Sequence, residues 1–209
     1  MLKNSVKQAG LTLIEVLVGL TIGIIIIAAI VSIFSNAITS TEQMLDSGKL
    51  NQALESAMNT MVSDVQRAGY WYKTDYSTNN TNPFLSGTDD LTTTSTCLTF
   101  SYDADTDGSM SDADRFGYRL SGGAIQYRST GSTTCSAGSG WTNLTDPNLI
   151  TITTFDVSVT SVPITGNNTD HTYYRTVTLT IGGNLVNDSA STTTITRTIK
   201  LYNNLYSST

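Results

Sequence analysis

The chain has 209 residues, 39% hydrophobic and 13% charged, with Lys+Arg 11 against Asp+Glu 17, a net charge of −6 and a pI near 4.5. That length suits one membrane or helical segment plus one modest globular domain. The acidic balance gives no electrostatic grip on nucleic acid, which needs clustered Lys or Arg. A single histidine, His171, removes most metal-hydrolase and triad designs, while 36 Thr and 16 Gly favour strands and turns over a helical bundle.

Lys3 and Lys7 precede a long apolar run, and no residue from Val16 to Thr41 is ionisable. At ~1.5 Å rise per residue, about 20 apolar residues cross a hydrocarbon core ~30 Å thick, and Leu11 to Phe34 qualifies. The basic flank keeps the N-terminus cytoplasmic and exports the chain beyond Phe34. Three readings compete: a secretory signal cut near Ser35-Asn36-Ala37, a plain membrane anchor, or a processed precursor. The run exceeds the roughly 7 to 15 apolar residues of a secretory signal. A plain anchor leaves Glu15 unexplained, because an intramembrane carboxylate costs ~2.5 to 3.5 kcal/mol on insertion scales.

Helical periodicity continues through Leu50, Leu54, Met58, Met61, Val65 and Ala68, with Lys49, Glu55, Asp64 and Arg67 on other faces. No proline precedes Pro83, so one helix is expected from about Leu11 to Ala68, stopped at Gly69. Tyr70, Trp71 and Tyr72 follow, and aromatic residues there are expected in the core rather than as an exposed patch; Tyr173 and Tyr174 are read the same way. Lys73 to Asp90, rich in Ser, Thr, Asn and Gly, reads as a loop.

Strands are expected at Thr96 to Tyr102, Phe116 to Leu120, Ala124 to Arg128, Leu149 to Val159, Tyr173 to Ile181 and Thr193 to Tyr202, with a hairpin turn at Ser121-Gly122-Gly123. Alternation in Val177-Thr178-Leu179-Thr180-Ile181 makes a one-sided sheet that needs a cover, and the amphipathic helix supplies it. The expected class is α+β: a long N-terminal helix packed against an antiparallel sheet head.

Asp103 to Asp114 matches a calcium loop at positions 1, 3, 5, 6 and 12, with Asp103, Asp105, Asp107, Ser109 and Asp114 as candidate ligands and Gly108 for the sharp turn. Asp114 stands where a bidentate Glu is usual, and the upstream Thr99-Phe100-Ser101-Tyr102 reads as strand rather than helix; a solvated acidic turn is the competing reading. Cys97 and Cys135 are the only cysteines, and an exported setting permits a disulfide between them, with two reduced thiols as the alternative. His171, beside Asp170 in a polar stretch, reads as a surface side chain. Abundant Ser and Thr make no nucleophile without a base nearby.

Gly10-Leu11-Thr12-Leu13-Ile14-Glu15-Val16 resembles the type IV prepilin family, including the pseudopilins of type II secretion. The resemblance implies a prepilin peptidase that cuts after Gly10 and N-methylates Leu11, which stands where Phe is most frequent. Glu15 then becomes the fifth mature residue. Its carboxylate can pair with the Leu11 α-amine of a neighbouring subunit, which relieves two buried charges together. Loss of Lys3 and Lys7 takes the mature net charge to −8.

The helix end, Met61-Val62-Ser63-Asp64-Val65-Gln66-Arg67-Ala68-Gly69-Tyr70-Trp71, resembles the PilW-like minor pilins and J-type minor pseudopilins. So do Arg115-Phe116-Gly117-Tyr118-Arg119-Leu120 and Arg197-Thr198-Ile199-Lys200-Leu201-Tyr202-Asn203. The implied organisation is a leader over 1–10, a transmembrane and filament-core helix over 11–38, its amphipathic continuation over 39–69, and a β-rich head over 70–209 carrying the acidic loop 103–114. The expected function is structural: a minor pilin that is not an enzyme and helps initiate a type IV pilus. The alternatives are a minor pseudopilin of type II secretion and a pilus-tip adhesin or calcium-dependent ligand-binding module. Expected partners are other pilins, prepilin peptidase and the inner membrane, with the head outside the cytoplasm and then on the cell surface.

Overall fold

A computed structural model describes residues 10–73, 82–131, 134–136, 140–165 and 170–208, with the backbone alone at 165, 170, 171 and 206–208. The chain divides into two compact units, one ending at Asp46 and one beginning at Ser47.

One helix, α1 (Leu13–Val65, 53 residues), runs through both. Its apolar stretch from Leu13 to Phe34 rises about 33 Å, enough to cross a bilayer core. Among the described residues nothing covers that stretch: Ile25 is 68% exposed and Ile33 71%. The second half behaves oppositely. Leu50, Leu54, Met58, Met61 and Val65, spaced by three or four, are all buried.

The helix is shorter at both ends than the Leu11 to Ala68 expected from periodicity. At its start Thr12 serves as cap rather than first turn. After Val65 the bonds tighten, Arg67 N–H donating to Asp64 O and Ala68 N–H to Val65 O, both at 3.0 Å. Gly69 then reverses the chain at φ +75°. The amide of Asn203 donates to Ala68 O at 3.0 Å and that of Asn82 to Gly69 O at 2.9 Å, so distant side chains satisfy the last carbonyls.

The strands form two antiparallel sheets rather than one. The first orders β1 (Thr92–Thr94), β2 (Cys97–Ser101), β3 (Arg115–Ser121), β4 (Ala124–Arg128) and β5 (Thr142–Asn143) as neighbours in sequence. The second orders β6 (Ile150–Thr165), β7 (Asp170–Leu185) and β8 (Asp188–Lys200), with β9 (Leu205–Ser208) also pairing with β7. The loop expected over Lys73 to Asp90 contains two 3-10 turns, Pro83–Leu85 and Gly87–Asp89, while its residues 74–81 lie outside the described residues.

β6 runs six residues past the expected Val159 and through Pro163. An edge strand tolerates that proline, because no partner needs its missing N–H on the outer side. Strands β1, β5 and β9 are too short to show alternation in the sequence.

The core of the second unit joins the helix stripe to both sheets: Leu98, Phe100 and Tyr118 from the first, Val177, Leu179 and Ile199 from the second. Two polar ties reinforce it. Tyr118 donates its hydroxyl to Asp64, which also pairs with Arg67, and Arg197 spans both oxygens of Glu55 at 2.9 and 3.1 Å. The Arg67 guanidinium lies 4.7 Å over the Tyr102 ring. Cys97 and Cys135 form a disulfide across 38 positions, with Cα atoms 6.1 Å apart.

Candidate functional site

Two places gather unusual chemistry. At the start of α1, Gly10 is exposed with open space around its α-carbon, and Leu11 is 81% exposed. Thr12 then closes the first turn reciprocally with Glu15. Its N–H and its hydroxyl donate to Glu15 Oε2 at 3.0 and 2.8 Å, while the Glu15 N–H donates back to the hydroxyl at 3.4 Å. This is a capping box, which satisfies helix-end donors that have no partner within the helix. The spacing Thr-x-x-Glu was its signal in the sequence, a role for Glu15 that the charge argument alone does not reach.

The acidic loop lies between β2 and β3, a strand on its upstream side as expected. Downstream, Asp112–Asp114 is a single 3-10 turn capped by Ser111, so the loop is not an EF-hand. Asp103, Asp105 and Asp114 bring carboxylate oxygens within 4.8 Å of one another. Asp103 is 2% exposed and Asp114 fully buried, which is rare for acids unless something offsets their charge.

Backbone and side-chain donors hold part of each group. Asp114 Oδ1 accepts from the Ala104 N–H at 3.0 Å, and its Oδ2 accepts from the Ser111 N–H and hydroxyl at 2.9 and 2.7 Å. Asp103 Oδ2 accepts from the amides of Tyr72 and Gly108, both at 3.0 Å. None of the three acids forms an ion pair among the described residues; the adjacent Arg115 is turned to Asp89 and Asp112. Those carboxylates, Asp89 first, raise the Arg115 pKa and keep it cationic.

Asp107 lies outside the trio. Its Oδ1 accepts from the Ser109 N–H at 2.7 Å and its own N–H donates to Asp105 Oδ1 at 3.2 Å, so this part of the candidate set shapes the loop. Gly108, at φ +78°, is required on a second ground: a Cβ there would stand 2.9 Å from Tyr72 O. The arrangement is an acidic cluster suited to a hard cation with oxygen ligands.

The aromatic run departs from the core placement expected of it. Tyr70 and Tyr72 are 40% and 46% exposed, because their backbone groups, not their rings, attach to the loop. Trp71 is half-buried and donates its indole N–H to Gly108 O at 3.0 Å. Tyr174 is half-buried under Lys200. The side chain of His171 lies outside the described residues. Arg175, 3% exposed, holds both oxygens of Asp90 at 2.6 and 2.8 Å, a pairing across 85 positions without any local signal.

Two families match the chain. The prokaryotic N-terminal methylation motif covers residues 6–31, and the family described as prepilin peptidase-dependent protein B covers 43–201, well over half of the sequence. No curated protein and no solved structure matches it. The families indicate a structural, pilin-like protein and imply that prepilin peptidase acts on the precursor. With its methylation motif at the head of an uncovered apolar helix and an α+β unit behind it, the chain belongs to the prepilin peptidase-dependent protein B family of type IV prepilin-like proteins.

Proposed function

We propose that the protein is a minor pilin, held in the inner membrane as a precursor by the helix over 11–38, cut after Gly10, methylated at Leu11, and inserted into a type IV pilus whose assembly it helps to initiate. The observation that carries this reading is the apolar helix of a methylation-motif protein that none of the described residues covers. A soluble monomer does not bear such a surface, and lipid followed by the helices of other pilins covers it. Within that filament the Glu15 carboxylate pairs with the freed α-amine of a neighbour. The acidic cluster of Asp103, Asp105 and Asp114 takes calcium, which orders the loop of the exported head.

Intact mass of the protein from cells with and without prepilin peptidase tests processing: a chain beginning at methylated Leu11 is expected, and retention of the first ten residues in wild-type cells refutes it. Glu15→Gln separates the two roles of that residue, since glutamine keeps the capping box but not the charge. Normal membrane insertion without entry into filaments is expected. A deletion strain scored for surface pili and exoprotein release decides the setting: loss of pili supports the proposal, and loss of secretion with pili intact assigns the protein to a type II system.

A further inference from the structure

The most buried member of the acidic cluster to carry a bare oxygen is also the joint between the loop and the segment that leaves α1. Asp103 donates its N–H to Tyr70 O at 2.9 Å, and its Oδ2 accepts from the Tyr72 N–H at 3.0 Å, while Trp71 reaches Gly108 O with its indole at 3.0 Å. Each residue from Tyr70 to Tyr72 is thus tied to the loop. The other oxygen, Asp103 Oδ1, is buried and has no hydrogen-bond partner among the described residues. A buried carboxylate oxygen left bare is costly, and the carboxylate that carries it converges with those of Asp105 and Asp114.

We infer that a calcium ion held by Asp103, Asp105 and Asp114 is a clasp, which fastens Tyr70 to Tyr72 onto the acidic loop and so lets calcium regulate how firmly the end of α1 is joined to the head. This rests on the calcium reading of the cluster under the proposed function. The coupling is mechanical. An ion bonded to Oδ1 fixes the rotation of the Asp103 carboxylate and thereby aims Oδ2 at the amides of Tyr72 and Gly108. Without a cation three like charges crowd together, and turning Asp103 away to relieve them releases both amides.

The donor set favours calcium. Three converging carboxylates suit its large, adaptable oxygen shell, whereas magnesium keeps several waters and is usually held by one or two carboxylates. Asp107 lies outside the carboxylate trio, its Oδ1 taken by the Ser109 N–H, so the carboxylates that act are fewer than the loop pattern suggests.

The test uses the full-length protein in detergent, stripped with chelator and titrated with calcium chloride, with sodium chloride at matched ionic strength as control. Calorimetry reads binding, and amide hydrogen exchange reads peptides covering 70–73 and 103–109. At ten times Kd, calcium should slow exchange in both peptides by about tenfold. Asp105→Asn, at an exposed position that leaves folding intact, should abolish binding and both protections, and Asp107→Asn should keep them. Binding with protection confined to 103–109 overturns the clasp and leaves the calcium site standing. No binding by the wild-type protein at millimolar calcium overturns the site and the clasp with it.

Discussion

Tyr118→Phe removes one atom from the contact between α1 and the first sheet. The tyrosine is 2% exposed, its ring stacks on Phe100 with centroids 6.3 Å apart, and its hydroxyl donates to the Asp64 carboxylate. Phenylalanine keeps the ring and its packing, so the change reads the hydrogen bond alone. A bond to a charged acceptor contributes about 1.5 to 3 kcal/mol. Asp64 remains 24% exposed and paired with Arg67, so water can rehydrate the abandoned oxygen and the loss falls toward the lower figure, about 1.5 kcal/mol. For a unit of this size that is a fall of about 3 to 6 °C in Tm. Thermal unfolding of the full-length protein in detergent, followed through near-ultraviolet tryptophan signals, supplies the measurement. A double-mutant cycle with Asp64→Ala should give a coupling of about 1 kcal/mol or more. A Tyr118→Phe variant within about 0.5 kcal/mol of wild type, or an additive cycle, would refute the idea that this bond ties the helix to the sheet.

Burial, opposed by Arg67 and assisted by Asp64 and Asp114, pushes the Tyr102 phenol up to about 12 from an ordinary value near 10, and burial with the Asp64 bond raises Tyr118 in the same direction. A raised folded pKa means the folded state holds the proton longer. This stability is therefore fully present below pH 10 and drains away as pH climbs from there through about 12, by about 3 kcal/mol for Tyr102; alkaline unfolding curves of wild type and Tyr102→Phe should diverge in that window, with the variant flatter. Reduction of the Cys97 to Cys135 bridge, or Cys97→Ser with Cys135→Ser, should cost about 4 kcal/mol by the chain-entropy estimate for a loop of 38 positions, read by urea unfolding with and without reductant. Gly108→Ala should lower stability by about 1 to 3 kcal/mol through its φ of +78° and its contact with Tyr72 O, and an unchanged Tm would show that the loop does not depend on this close approach.

The helix was legible because its signals are local: an uncharged run, then an apolar stripe at spacings of three and four, then glycine. The longer strands were legible for the same reason, since β-branched residues alternate along β7 and β8. What the sequence hid is the set of contacts made between distant positions. Nothing local connects Asp90 with Arg175, Asn203 with the end of α1, or Tyr118 with Asp64. The split into two sheets was hidden likewise, because alternation places a residue on a face without saying which strand lies beside it. In the acidic loop the composition pointed to the stretch that holds the cluster and included a carboxylate that lies outside it. Asp107 follows the ligand pattern, yet its side chain is used in the turn, and only three-dimensional placement separates it from Asp103 and Asp105.

The two halves of α1 place opposite demands on their surroundings. From Leu50 onward the stripe is satisfied inside the chain, so that half needs no partner to be stable. Before it, Leu13 to Phe34 has no cover among the described residues, and its backbone groups are satisfied because the segment is helical. Its first turn is where such a helix is most costly in lipid, since the leading N–H groups point outward without acceptors. The bond pair between Thr12 and Glu15 answers that cost locally. On the proposed reading it also explains how an acid can wait in a membrane: the carboxylate is held by the helix it caps until an amine of another chain arrives. Pairing then exchanges a neutral donor for a charged one, a gain large enough to favour assembly only where water is excluded. On that reading the same residue serves the isolated precursor as a cap and the polymer as a contact, and neither role requires the head to change.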